Sequence, residues 1–342
     1  MYAVLSVFFG HLLQALGIER LAGDITIYTI GKTGVLIFFV HTALVLMMSL
    51  DRMALVHSNY RSLILTFYTR RFFRIYPLSI AFVLAVWLFR IPAFPGFEYQ
   101  WIGWGGLASN LALLQNITRS KYSLSVLWSL PFEVQMYAVL PLIFIILRRF
   151  RAVWVPVAMW ASISAAIWLM SATGIKGVPA VLWYFPCFMG GIVAYRLLRE
   201  RSLGLPFWMW PVLITGCVII RAMFDNASTW LVCLLLGLAT PQFLGTNSSR
   251  LRSFSQIVAK YSYGIYMSHS VVFWMTLRMG GPWWLKVLVG SSLSVVLPVL
   301  LFHLIEDPLI RFGRDFFPYR INAAQKSELA TPKAELAQAA DN

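Results

Sequence analysis

The chain is a succession of apolar runs separated by short polar turns: 2–18, 33–50, 77–91, 105–117, 127–147, 152–170, 178–196, 207–221, 229–245, 262–279 and 283–305. At a rise of about 1.5 Å per helical residue, most of these runs are long enough to cross a hydrocarbon core about 30 Å thick. The exception is 105–117 (GGLASNLALLQNI), which is short and opens on two glycines. The pattern predicts an all-α, polytopic membrane helical bundle.

The polar turns decide how that bundle is threaded. The segment 51–76 carries Arg52, Arg61, Arg70, Arg71 and Arg74 against Asp51. The turns with Arg148, Arg149 and Arg151, with Arg196, Arg199 and Arg201, and with Arg250, Arg252 and Lys260 are also basic. The alternate turns 19–32, 171–177, 222–228 and 280–282 are nearly neutral. Basic turns belong on the cytoplasmic side. They share that side only if 105–117 does not cross. The expected topology is about ten transmembrane helices plus one short re-entrant or interfacial helix at 105–117, with both termini cytoplasmic.

Composition agrees. Hydrophobic residues make up 59% of the 342 positions and charged residues 12%, with a mean hydropathy of +0.73. A soluble domain carries about twice that charged fraction. The net charge of +15 would suit nucleic acid in another context, but here the basic residues lie between apolar runs, so no nucleic-acid partner is expected. Cys187, Cys217 and Cys233 fall inside apolar runs and read as small buried hydrophobes rather than a disulfide framework or a metal site. The first run has neither a basic leader nor a small-residue cleavage signal, so it reads as a span and not a signal peptide; the true start is left open to lie upstream of Met1. Residues 1–317 are read as the membrane domain and 318–342 as a polar, disordered cytoplasmic tail. No internal repeat is evident, which weakens a transporter built from inverted halves.

Within this apolar background a few residues carry chemistry. RRFFRIYP at 70–77 places three arginines in eight residues. In a helix Arg71 and Arg74 are three apart and Arg70 and Arg74 four apart, so they share a face. Pro77 suits the first turn of the next span, which makes the cluster an interfacial helix leading into 77–91. Two readings stay open for it: an anchor on anionic headgroups, or a site for a polyanionic ligand, because guanidinium forks suit phosphate. His11 lies well inside the first run, and an ionisable group at membrane depth marks a functional site unless it is a helix–helix hydrogen bond. Glu133, in WSLPFEVQMYAVLP, is the same kind of exception, with a buried polar partner as its alternative. With the expected topology His11 sits about 10 Å and Glu133 about 9 Å below the outer ends of their spans. A base and a carboxylate are thus expected at similar depth, with an arginine-ringed entrance on the opposite face. A donor with a phosphate head and a long arm, such as a coenzyme A thioester, has the matching shape. His41, His269 and His303 are weaker candidates, each compatible with a structural role, and the histidines lack the regular spacing of metal ligands. No Gly-rich phosphate loop or Gly-x-Ser-x-Gly elbow is present.

Taken together, these residues resemble the acyltransferase 3 family of integral-membrane O-acyltransferases. The resemblance rests on His11 in the first span, GVLIFFVHTALVL at 34–46, RRFFRIYP, NLALLQN at 110–116, WSLPFEVQMYAVLP at 128–141, YSYGIYMSH at 261–269 and IEDPLIR at 305–311, in family order over nearly the whole chain. The family usually has an acidic residue after Gly-Val and a Ser-Gly pair after Phe-Phe; this chain has Leu36, and Thr42 with Ala43, so no role is carried over to those positions. The resemblance implies transfer of an acyl group, often acetyl, from cytoplasmic acyl-CoA to a hydroxyl of a sugar, surface polysaccharide or glycolipid. It implies His11 as the catalytic histidine, Arg71 and Arg74 as the donor-binding pair and Glu133 as a second essential polar residue. Acyl-CoA would be a substrate rather than a resident cofactor, no metal is expected, and a bacterial inner membrane is the expected location. A stand-alone member is implied, without a soluble esterase-like domain.

The favoured chemistry has His11 take the proton of an acceptor hydroxyl as its oxygen attacks the thioester, with Glu133 orienting His11 or the hydroxyl. An acyl-imidazole intermediate is the rival route. Two other function classes remain open at this stage: a transporter or flippase of a lipid-linked sugar, and a non-catalytic membrane partner that would tolerate loss of His11.

Overall fold

The structure, a computed structural model, describes residues 1–57, 59–93, 98–173, 180–198, 200, 203–246 and 248–316. The expected tail at 318–342 and the basic residues Arg199 and Arg201 lie outside them. The helices, in chain order, are α1 (Tyr2–Ala15), α2 (Ile27–Val56), α3 (Tyr60–Leu88), α4 (Gly103–Leu111), α5 (Gln115–Thr118), α6 (Leu130–Arg149), α7 (Trp154–Ala172), α8 (Ala180–Leu197), α9 (Trp210–Phe224), α10 (Thr229–Ala239), α11 (Ser249–Arg278), α12 (Trp283–Leu301) and α13 (Asp307–Asp315). A small antiparallel hairpin of β1 (Arg20–Ala22) and β2 (Ile25–Thr26), turning at Gly23 with φ +52°, joins α1 to α2; the expected all-α pattern did not include it.

Among the described residues six helices are long and apolar enough to cross a membrane: Ile27–Val56, Tyr60–Leu88, Ser125–Arg149, Trp154–Ala172, Phe207–Phe224 and Trp283–Asp315. Of the four expected spans not among these, 178–196 forms α8, and the other three differ locally. The run 2–18 is cut short because α1 ends at Ala15, and Gly17 at φ +79° turns the chain. The run 229–245 breaks at Thr240–Gln242, a 3-10 turn holding Pro241. The run 262–279 is the second half of a 30-residue helix whose first half carries Arg250, Arg252 and Lys260. At 105–117 the chain forms α4 and α5, of nine and four residues. At about 1.5 Å per residue neither reaches across a bilayer.

Helix starts follow capping chemistry. The side chains of Thr26, Asn59 and Ser248 each accept from the backbone N–H three residues on, at the first turns of α2, α3 and α11. The arginine motif is not a separate interfacial helix, because α3 runs unbroken through Pro77. Proline removes one ladder hydrogen bond and crowds the preceding turn, and neighbouring groups support that turn: Tyr263 from α11 donates to the carbonyl of Ile75 at 2.8 Å, and Ser79 to that of Tyr76 at 3.1 Å. The last span also overruns its expected end at 305. A π-helical turn at Phe302–Glu306 carries it into α13.

α2 is the central post. It packs on α1, α3, α6, α8, α9 and α10. Glycines allow the closest of these approaches, as small residues do between membrane helices. A Cβ on Gly191 would stand 2.0 Å from the carbonyl of Val40, and one on Gly190 2.3 Å from that of Cys233. The outer helices α7 and α12 leave Trp154, Trp168, Trp283 and Val295 exposed, which suits a lipid-facing surface. α13 returns to α3, where Phe73 packs against the rings of Phe312 and Phe316 at 5.4 and 5.8 Å. The aromatics of RRFFRIYP thus fasten the helix on one face. At about 100° per residue, Arg70, Arg71 and Arg74 fall within one arc on another.

Candidate active site

Two cavities enter the bundle along the same three helices. The first, of about 700 Å³, is lined by Val7–Gln14 positions of α1, by the start of α2 from Ile27 to Val35, and by the end of α3 at Val86 and Trp87. The second, of about 400 Å³, is lined by Met1–Val4 of the N-terminus, by α2 from Val35 to Leu46, and by α3 from Arg70 to Ile75. On each helix the cavities take opposite halves. Val35 lines both.

The second cavity is cationic. Arg70, Arg71, Arg74, Lys260 and Arg314 all line it, with His41, Glu133, Tyr137, Tyr263 and Tyr266. Glu133 stands in the first turn of α6 behind Pro131 and accepts a short hydrogen bond from Tyr137, one turn on. Arg74 Nη1 lies 3.2 Å from Glu306 Oε2. Glu306 is 1% exposed, placed by the π-helical turn, and is therefore the buried counter-ion of an arginine that faces the cavity. Such a set of cations, four of them arginines, with Glu133 in the lining and Glu306 paired to Arg74 behind it, is suited to a phosphorylated ligand.

His11 lines the first cavity, among Gln14, Tyr28, Lys32, Trp87, Trp128 and Tyr184. Its Nδ1 lies 2.7 Å from Nε2 of His269 on α11, and the two rings stack at 5.0 Å and 15°. His269 Nδ1 lies 3.0 Å from the carbonyl of Ile265. One turn away, Ser129 Oγ and Tyr266 OH are 2.7 Å apart, and Tyr266 donates to the carbonyl of Val126 at 2.7 Å. Ser129 and Tyr266 line the arginine cavity, while their neighbours Ser125 and Trp128 line the first. This layer is where the two cavities approach each other.

The structure therefore brings Arg71, Arg74 and Glu133 together and places His11 in the other cavity. The side chain in hydrogen-bond contact with His11 is His269, not Glu133. His41 joins the arginine cavity, and His303 is exposed and lies 3.3 Å from Tyr261 OH. Two residues of this site carried little signal in the sequence. His269 was one histidine among several weak candidates, and its contact spans 258 residues. Glu306 stood just past the last apolar run, inside IEDPLIR, with no chemical role read for it.

The acyltransferase 3 profile, described as an acyltransferase domain, matches residues 2–303. The chain belongs to this family of acyltransferases. Acyltransferase MdmB of Streptomyces mycarofaciens is 25% identical over 368 aligned positions, which cover 91% of this chain and 89% of that protein. No solved structure gives a significant match. This family membership settles the class of the protein: an integral-membrane acyltransferase, with an acyl donor and an acceptor as its substrates. It removes the ground for a non-catalytic partner, and nothing in the site favours a transporter over group transfer.

Proposed function

We propose that the protein moves an acyl group, acetyl in the first instance, from cytoplasmic acyl-CoA to a hydroxyl of a sugar, surface polysaccharide or glycolipid. The observation that carries this reading is the pair of cavities on opposite halves of α1, α2 and α3, with Val35 common to both. A phosphate-bearing donor would lie in the arginine cavity on Arg71 and Arg74. An acceptor would lie in the other, whose Trp87, Trp128 and Tyr184 offer flat faces to a sugar.

In the transfer, His11 takes the proton of the acceptor hydroxyl as its oxygen attacks the thioester carbonyl. An oxygen–carbon bond forms, the carbon–sulfur bond breaks, and the imidazolium returns its proton to the departing thiolate. Glu133, on the donor side beside Tyr137, would hold the arginine cluster in place around the donor. The basic loops support a cytoplasmic position for the arginine cavity, in what we take to be a bacterial inner membrane. In this reading α1, α8, α10 and α11 cross beside the six long spans, and both termini are cytoplasmic.

Two experiments test this. Membranes containing the protein should consume labelled acetyl-CoA in the presence of envelope glycans, and a deletion strain should lose acetyl groups from a surface glycan; an intact protein that never consumes donor contradicts the reading. Cysteines introduced near 98–104 and near 119–125 should both be labelled from outside the cell. If the second set is reached only after permeabilisation, the proposed topology is wrong.

A further inference from the structure

His269 is 1% exposed and packs against both Phe8 and Phe273, with ring centroids 6.2 and 5.8 Å from its own. It lies behind His11 and does not line the cavity that His11 lines. We infer that His269 is a positioning residue for the acyl transfer, holding His11 in the tautomer whose Nε2 is bare. This rests on His11 being the base proposed above.

Counting hydrogens fixes the tautomer. A carbonyl oxygen only accepts, so the contact of His269 Nδ1 with the Ile265 carbonyl at 3.0 Å puts a hydrogen on Nδ1. A neutral imidazole carries one N–H. A cationic His269 would need a counter-charge in this buried place, and the rings around it are Phe8, Phe273, Tyr266 and His11. His269 Nε2 is therefore the acceptor. The 2.7 Å contact then requires the hydrogen on His11 Nδ1, and His11 Nε2 is left with a lone pair. Free imidazole has no such constraint; the second histidine imposes it, as an outer partner does for a metal-ligating or catalytic imidazole.

The same contact strengthens during the reaction. When His11 Nε2 accepts the hydroxyl proton, the ring becomes a cation, and its Nδ1–H donates to His269 as a charge-assisted hydrogen bond. An interaction that is stronger in the transition state than in the ground state raises kcat rather than lowering KM. His269 touches no substrate in this account. It acts only through His11.

The test uses the full-length protein, purified in lipid nanodiscs and normalised to folded material, with labelled acetyl-CoA as donor and an envelope glycan and glycolipid extract as acceptor. His269→Phe keeps an aromatic ring among aromatic neighbours but has no acceptor. It should lower kcat by about 10- to 100-fold, as loss of an outer-shell partner does, with the KM for acetyl-CoA unchanged. His269→Gln, whose Oε1 can accept from His11 Nδ1–H, should recover most of the turnover. In the wild-type protein, ¹⁵N NMR of labelled histidines, with His11 assigned by difference from His11→Gln, should show the neutral Nδ1–H form. This spectrum needs no substitution at 269 and decides the matter even if His269→Phe does not fold. A folded His269→Phe with wild-type kcat, a His269→Gln no better than Phe, or His11 found as the Nε2–H form overturns the inference. A His11→Ala enzyme that still turns over would instead overturn the reading of His11 as base, whatever His269 does.

Discussion

The two cavities share three helices and differ in how they are built. The arginine cavity draws three of its five cations from one stretch of α3, Arg70 to Arg74, with Glu133 in its lining, and Glu306, the partner of Arg74, comes from the neighbouring π-helical turn. Its chemistry is a dense field of forked donors, which suits binding. The His11 cavity carries a single imidazole whose contacts reach from α1 to α11, among aromatics and scattered polar and charged groups from α1, α2, α3, α8 and the intervening turns. Its chemistry is one oriented lone pair, which suits a proton transfer. Binding can be assembled from repeated charges on one helix face. Proton transfer needs an angle and a tautomer, and those require a second helix.

If that division holds, the largest effect belongs to His11→Ala. Removing a general base costs about 10²–10⁴ in rate, so turnover should collapse by that order while acetyl-CoA still binds. His11→Gln should do the same; an active His11→Gln would make the residue a packing element. The next effect belongs to Arg74→Ala. A lost charged hydrogen bond costs about 1.5–3 kcal/mol, or roughly 10- to 150-fold in the KM for donor, and Arg74→Lys should recover only part, since a point charge does not replace the fork. Arg74→Ala also leaves Glu306 buried without its partner. Arg74→Ala with Glu306→Gln should therefore recover folded protein but not KM. An Arg74→Ala enzyme with unchanged KM and reduced insertion would make the arginines headgroup anchors.

The arginine cavity was legible in the sequence because its residues sit within a few positions of one another, where helical spacing alone predicts a shared face. His11 and Glu133 stood out as ionisable residues inside apolar runs, and each lines a cavity, though not the same one. Their partners were not. Nothing in the spacing of α1 and α11 says that His11 meets His269, and depth along two spans does not say which of two cavities a side chain enters. The helices were legible as apolar runs, but their ends were not. Pro77 reads as a helix start on local rules, and α3 continues through it because Tyr263 and α13 hold the segment from outside.

A smaller effect would sharpen the comparison from the scaffold side. Gly191→Ala sets a methyl against the carbonyl of Val40 on the central post. Overpacking of this kind costs about 1–3 kcal/mol, and because α2 serves both cavities, thermal stability should fall first and any residual activity should be lost from donor binding and turnover alike. The smallest effect expected is that of Tyr137→Phe, which removes one hydrogen bond to Glu133. A loss of about 0.5–1.5 kcal/mol should appear in the KM for donor and leave kcat nearly unchanged. A Tyr137→Phe enzyme altered in kcat alone would move Glu133 to the chemical side of the site.

Titration calorimetry of acetyl-CoA into purified His11→Ala and Arg74→Ala, each paired with its turnover, measures the separation of donor binding from proton transfer directly. His11→Ala should bind acetyl-CoA with the wild-type Kd and fail to turn over, and Arg74→Ala should bind weakly and turn over once saturated. Loss of donor binding in His11→Ala, or wild-type binding in Arg74→Ala, would contradict it.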